Sequence, residues 1–548
     1  MDPLVAYFCA EFALSEKIPT FAGGLGVLTG DLVKEAAQTK FPIVSVGLFY
    51  KEGYGNNKSD FSSGGDSPEK LGLKAVCGVN NEKILISVPV QDRMVFAQAW
   101  KWEEGENAVF LLDTNIDQNS GGDKGITDHL YVSNRETRIK QEMILGIGGF
   151  RLLLNLGIKP QIYHLNEGHC AFLLLSLIHS EMKRNKISFK EACEEVKKQV
   201  VFTNHTLVAA GQELFSQDLI SAMINKYAEE IEIPLSDILS LASIENSDLF
   251  SMTQLALKLA GKINAVSGLH QKEASRLWPN YQIEKVTNGI RLKNWDRIEN
   301  DSSKTLWKKH LDNKKILLSY IEKETGKKWD EKNLIFGWAR RIVPYKRPLA
   351  ILEDVERLKK LCNFEFPIKI VFAGKAHEDD PVGQKTVETL KEIINKELNE
   401  NAVYLPNYDI TVSPLITSGC DVWLNTPVVG FEACGTSTMK AALNGGLIVS
   451  TKDGWLEEIN LNEIGWEIEN VDITNSLLKK IEEEIVPLYY QHLANPQNSS
   501  WSIKMEKARK LIIEGYSAER VLREYKEKLY LPLLKNQGVV ISASGTTL

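Results

Sequence analysis

The stretch Glu432-Ala-Cys-Gly-Thr-Ser-Thr-Met-Lys-Ala-Ala-Leu-Asn444 is followed by the glycine pair Gly445 and Gly446. Small and hydroxyl residues lead into an apolar-periodic run, and the pattern predicts a helix with Lys440 in its first turn. A helix N-terminus rich in small hydroxyl residues is a cradle for phosphate. A lysine beside it can join an aldehyde, and pyridoxal phosphate carries both groups. A capped surface helix with an ordinary lysine fits the same residues. Chemistry alone leaves both readings open.

Outward from this stretch, short apolar runs alternate with helical patterns. Residues 334–339, 368–373, 402–405 and 447–450 read as strands, with helices between them. An earlier series has the same form: strands at 42–50, 161–165 and 200–204, and helices at 138–154 and 171–182. Such alternation predicts an α/β protein with parallel sheets. Turn chemistry at Asn288-Gly289 and a charged helical run over 294–330 put the boundary between the two series near residue 295. The expected domains are 1–295 and 296–500, each a doubly wound α/β domain, the second carrying Lys440. The helices of 501–548 are expected to pack back on the first domain. Two doubly wound domains place their strand ends, and so a ligand cleft, between them.

The 548 residues exceed what one core holds, and roughly two to four domains are expected. With 43% hydrophobic and 25% charged residues, the chain has an ordinary globular composition. A net charge of -7 without a basic block gives no basis for nucleic-acid binding. No apolar run is long enough to span a bilayer, and the opening MDPLVAYFCAEF does not read as a signal peptide. Seven cysteines without C-x-x-C spacing argue against a disulfide framework and against a zinc site. Free thiols predict the reducing cytoplasm.

Four other motifs carry polar chemistry. Ala22-Gly-Gly-Leu-Gly26 lies between a strand and a helical run. Its backbone N–H groups can meet an anion, although a tight turn is the better reading of the motif alone. His164-Leu-Asn-Glu-Gly-His169 ends a strand, where α/β ligand sites lie. Metal ligation and loop capping are equally compatible with it. Phe202-Thr-Asn-His-Thr206 ends another strand in groups that match a hydroxylated ligand such as a sugar, or in a satisfied structural histidine. Arg340-Arg-Ile-Val-Pro-Tyr-Lys-Arg347 puts four cations after a strand, a set suited to phosphate.

Taken in order, these motifs resemble those of the α-glucan phosphorylases. The stretch 432–444 matches that family's pyridoxal-phosphate attachment motif, E-A-[S/C]-G-x-[G/S]-x-M-K-x-x-[L/M]-N, position by position. The segments EF at Glu11, GGLG at Gly23, HLNEGH at His164, TNHT at Thr203, TNGI at Thr287, RRIVPYKR at Arg340, AGKAH at Ala373 and PNYD at Pro406 follow in family order. The resemblance covers about residues 5–470 and is strongest to the short, unregulated prokaryotic type.

The resemblance implies a GT-B fold, two Rossmann-like doubly wound domains facing a catalytic cleft. It implies reversible phosphorolysis of an α-1,4-glucan by inorganic phosphate to glucose 1-phosphate, with retention. Lys440 then carries pyridoxal phosphate as a Schiff base, and the cofactor phosphate shuttles a proton. By the same resemblance Arg341, Lys346 and the backbone of Gly23 and Gly24 hold substrate phosphate. Arg340, Gly435 and Thr436 hold the cofactor phosphate, and Tyr408 and Glu11 are neighbours of the cofactor or sugar. His205, Asn288, Glu432, Cys434 and Gly435 line the glucosyl pocket, with the His205 carbonyl facing developing positive charge. No metal is implied. Family members are usually homodimers.

Departures also appear. The long regulatory N-terminal extension of larger members has no counterpart, so nucleotide and phosphorylation control is not expected. Val343 and Pro344 stand where larger members have histidine and glutamate. Two alternatives compete: a nucleotide-sugar glucosyltransferase of the glycogen-synthase type, and an inactive glucan-binding relative. The first has no reason to keep M-K-x-x-L-N. The second predicts damage at Lys440, Arg341 or Lys346, and all three are intact.

Overall fold

A computed structural model describes residues 2–54, 65–207, 213–299, 303–362, 365–377, 380–406, 408–496 and 499–536. The chain divides into two compact units. The first takes its described residues from Met1–Val266, Gln271–Val286 and Val521–Leu548, and the second from Ser267–His270 and Thr287–Arg520.

The first unit is built on a ten-stranded sheet. Its parallel part runs, in spatial order, through Ile283–Lys285, Lys262–Ala265, Val200–Thr203, Ile162–Asn166, Val5–Phe8, Ile43–Leu48 and Asn107–Asp113. The strands of this part are nearly all buried, as a sheet covered on both faces requires. Beyond Asn107–Asp113 the sheet turns antiparallel: Arg93–Glu104 pairs with it, and Leu85–Val90 and Lys74–Ala75 pair with Arg93–Glu104. The sequence pattern predicts parallel sheets and marks no strand between residues 50 and 161. The connections make this extension antiparallel, because two-residue turns join Leu85–Val90 to Arg93–Glu104 and Arg93–Glu104 to Asn107–Asp113, whereas a parallel crossover needs about a dozen residues or more.

The helix expected over 138–154 forms from Arg135–Met143 to Gly149–Asn155, with the π-helical segment Ile144–Gly148 between them. Gly149 shows how closely this helix approaches the sheet: a Cβ there would sit 2.6 Å from Phe8 and 2.7 Å from Val46. After Val521 the chain presents Tyr525 and Tyr530 to buried His164, with ring centroids 4.9 and 5.7 Å away. These contacts tie the last helices into the first unit.

The second unit has a six-stranded parallel sheet in the order Ala402–Leu405, Ile368–Ala373, Leu334–Ala339, Val422–Asn425, Leu447–Ser450 and Gly465–Glu467. The helix Ser500–Gly515 belongs to this unit, and its Trp501 and Met505 lie in the same core as the sheet. A fully buried charge cluster sits among these elements. Lys314 Nζ donates to Asp421 Oδ2 at 2.6 Å, to the Tyr489 hydroxyl at 2.7 Å and to the Asn333 carbonyl at 2.6 Å. His310 Nε2 lies 3.1 Å from Asp421 Oδ1. Burial alone would raise the Asp421 carboxyl, but Lys314 and His310 outweigh it and hold it below the usual range.

Removing one member of such a cluster leaves a buried charge without compensation. In denaturant melts, Lys314→Met should lose about 3–5 kcal/mol of stability. Lys315→Met, which breaks the exposed pair with Glu331, should change it by less than about 1 kcal/mol. Equal, small effects at both positions would show that the cluster does not hold the second unit together.

Candidate active site

On the first unit, Glu11 lies three residues beyond the end of the N-terminal strand Val5–Phe8. Its buried carboxylate accepts the backbone N–H groups of Ala22 at 2.7 Å and Gly23 at 3.2 Å, and the Tyr131 hydroxyl donates to its other oxygen. A buried carboxylate therefore shapes the glycine loop. The loop's glycines differ in role. At Gly26 a Cβ would sit 2.4 Å from Phe21 and 2.9 Å from Glu11, so that glycine is required by packing. At Gly23 and Gly24 a Cβ would meet nothing within 4 Å. Open space lies above those two residues, at the start of the helix Gly24–Gln38, where backbone N–H groups attract an anion.

The two polar strand ends of this unit interlock. His205 donates its backbone N–H to Glu167 Oε1 at 2.6 Å, and its Nε2 lies 2.6 Å from Asn166 Oδ1. Glu167 is buried, with φ +73°, and burial pushes its carboxyl up to about 7. His164 is a structural residue. Thr203 Oγ1 donates to Asn264, so His164 Nε2 donates to Thr203 at 2.6 Å and Nδ1 accepts from the Tyr530 hydroxyl at 2.7 Å. That is the neutral imidazole, and burial lowers its pKa to about 3.

On the second unit, the stretch 432–444 meets the cationic loop. The helix spans Thr436–Leu443, and Gly435 caps it at φ +85°, a left-handed conformation suited to glycine. Lys440 is thus the fifth helical residue, one turn deeper than the first-turn position that the sequence pattern predicts. It is only 7% exposed, and its Nζ stands 3.5 Å from the ring centroid of Trp295. Glu432, just before the cap, is shared by two cations: Lys346 Nζ donates to its oxygens at 3.0 and 2.7 Å, and Arg340 Nη1 to one of them at 3.3 Å. Burial alone would raise the Glu432 carboxyl, and these cations hold it below its usual range. Arg340 Nη2 reaches into the helix start, 3.0 Å from Ser437 Oγ. Its Nε is buried and unpartnered among the described residues, and burial lowers its pKa. Arg341, next along the chain, is exposed.

The remaining expected residues also lie on the second unit. Asn288 is buried with its Oδ1 unpartnered among the described residues. Cys434 is buried, and burial pushes its thiol well up, so the thiol is neutral. Thr436 begins the helix. The Tyr408 hydroxyl bonds to Ser413 Oγ at 2.9 Å. Sequence reasoning missed Trp295 and Ser437. Ser437 lies inside the quoted stretch, whereas nothing near Trp295 signals an indole facing Lys440.

A buried amine, a helix N-terminus of small residues and an unsatisfied guanidinium nitrogen together suit a group carrying an aldehyde and a phosphate. Pyridoxal phosphate fits that set. Among the described residues, no group of three or more histidine, cysteine, aspartate or glutamate side chains is placed to hold a metal ion, and no helix is long and apolar enough to cross a membrane.

Comparison with known proteins agrees. A family model described as carbohydrate phosphorylase matches residues 296–537. The maltodextrin phosphorylase of Thermococcus litoralis is 34% identical over 601 aligned residues, covering 97% of this chain and 71% of the relative. The glycogen phosphorylase of Aquifex aeolicus is 29% identical, covering 97% and 87%. An uncharacterised protein of Methanocaldococcus jannaschii is 29% identical, covering 96% and 99%. The chain belongs to the carbohydrate phosphorylase family, the α-glucan phosphorylases, and has their GT-B fold.

Proposed function

We propose that this chain is an α-1,4-glucan phosphorylase, a hexosyltransferase that moves the non-reducing terminal glucose of a glucan onto inorganic phosphate, with pyridoxal phosphate held at Lys440. The observation that carries the reading is the convergence on the second unit. Arg340 and Lys346 meet Glu432 just before the helix of Lys440, and Arg340 also touches Ser437 at that helix start.

Each residue has a task in this reading. Lys440 would hold the cofactor's aldehyde carbon, and Gly435, Thr436 and Arg340 its phosphate. When bound, the cofactor supplies a phosphate monoester whose second ionisation lies near neutral pH, so it can relay a proton. Arg341 has an exposed guanidinium, free for a bidentate grip on substrate phosphate. Lys346 adds a point charge beside it. On the first unit, the backbone at Gly24 would receive an anion, with Gly23, whose own N–H is given to Glu11, leaving the space above it open. Asn166 and Glu167 fix His205 from two sides, and in this reading its carbonyl would face charge that develops on a sugar ring. Asn288, Glu432 and the neutral Cys434 would contact glucosyl hydroxyls, and Tyr408 and Glu11 support the cofactor and loop. A homodimer and a cytoplasmic location complete the proposal, the latter supported by seven free cysteines.

Borohydride reduction of the purified protein followed by peptide mapping should find a pyridoxyl phosphate group on Lys440, and Lys440→Ala should abolish glucose 1-phosphate formation. An unmodified Lys440 after cofactor has been supplied would move the function toward nucleotide-sugar transfer. Arg341→Ala should raise KM for phosphate about tenfold or more while KM for glucan changes little, because one charge-assisted pair is lost. Equal effects on both constants would remove Arg341 from the phosphate site.

A further inference from the structure

The position of Lys440 depends on Asn444, the last residue of the stretch 432–444, to which no role was given above, and on Arg509, which lies in none of the motifs. Asn444, at the end of the Lys440 helix, is fully buried. Its Nδ2 donates at 2.8 Å to the carbonyl of Lys440 and at 2.8 Å to the carbonyl of Trp295. Its Oδ1 accepts the Arg297 N–H at 2.8 Å, and its own carbonyl lies 2.9 Å from His310 Nδ1. One amide therefore binds both the backbone of the lysine and the backbone of the indole against which that lysine rests. An ordinary helix cap needs only the first of these bonds.

Arg509, from the helix Ser500–Gly515, repeats the connection from the other side. Its guanidinium grips Asp296, the residue after Trp295, with two bonds of 2.8 Å. The same group donates to the Leu443 carbonyl at 2.8 Å and to the Glu299 carbonyl at 2.7 Å. Asp296 in turn accepts the N–H groups of Ile298 and Glu299, so the corner that carries Trp295 is itself fixed. Arg509 is buried, and its pair with Asp296 is bidentate, the geometry in which an arginine pair is both strong and directional. Lysine cannot reproduce it.

We propose that Asn444 and Arg509 are positioning residues for Lys440: together they lock the Trp295 corner to the end of the Lys440 helix and so hold the indole face against Nζ. A cation over an indole is attracted by the ring's quadrupole, and that attraction falls off as the two move apart. A helix end free to slide past the 295–299 corner would change this contact. The inference rests on the reading that Lys440 carries pyridoxal phosphate.

The test uses the full-length protein loaded with pyridoxal phosphate, in wild-type form and as Asn444→Asp, Arg509→Lys and the exposed control Lys507→Ala. Three quantities are read: cofactor loss during dialysis against cofactor-free buffer, the absorption band of the bound cofactor, and kcat against KM. Asn444→Asp and Arg509→Lys should remain folded, release cofactor about tenfold faster, as loss of a buried hydrogen bond implies, and shift the absorption band. In both, kcat should fall while KM for phosphate and glucan stays near wild type. Lys507→Ala should match wild type. If Asn444→Asp does not fold, Arg509→Lys decides. Variants that lower only the melting temperature, with wild-type retention and absorption, would make the two residues merely structural and overturn the inference. A wild-type protein with no cofactor on Lys440 would overturn the functional reading and this inference with it, an outcome distinct from a loaded wild type with unchanged variants.

Discussion

The Glu432 carboxylate is the interaction on which the second unit's polar end depends. It lies in a largely dry position, yet stays ionised because Lys346 and Arg340 converge on it. A lone buried carboxylate would be protonated, and two buried cations without an acid would repel each other. The shared acid lets the loop 340–347 and the segment leading into the Thr436–Leu443 helix occupy the same place. It does not cancel their charge. Arg340, Arg341 and Lys346 still outnumber Glu432 and the neighbouring Asp453, which accepts the Glu432 N–H at 3.0 Å, and an incoming phosphate can use the remaining positive charge.

That arrangement also separates two tasks. Arg340 is buried and already committed to Glu432 and Ser437, so it is rigid. Arg341 is exposed and available. Neighbouring residues of one type thus differ by the direction in which the chain presents them after the strand Leu334–Ala339. A preorganised cation favours a resident group, and a free one favours a group that must come and go.

Buried parallel strands were the most legible part of the sequence. Leu334–Ala339, Ile368–Ala373, Ala402–Leu405 and Leu447–Ser450 are mostly apolar, with Lys369 the one charge among them, and the observed bounds coincide with the reading. The antiparallel extension around Arg93–Glu104 was not legible, because its strands mix polar and apolar residues and join through short turns. The π-helical turn Ile144–Gly148 was hidden too, since an extra residue in a helical turn leaves no mark on apolar periodicity. At the site, the motif marked the lysine but not its depth in the helix. Gly435 sets that depth by its left-handed φ, and the hydroxyl residues after it looked like caps when they are helical.

Contacts between segments distant in sequence form the remaining class. Trp295, Asn444 and Arg509 come from three elements, and no local pattern links them. Asn444 alone reads as a helix cap, and Arg509 as one more cation on a charged helix. What distinguishes them is that each donates to two partners that must move together: Asn444 to the carbonyls of Lys440 and Trp295, and Arg509 to Asp296 and the Leu443 carbonyl. A residue with one partner stabilises a segment. A residue with two partners on different segments sets the distance between them, and around Lys440 that distance determines how closely an indole faces an amine.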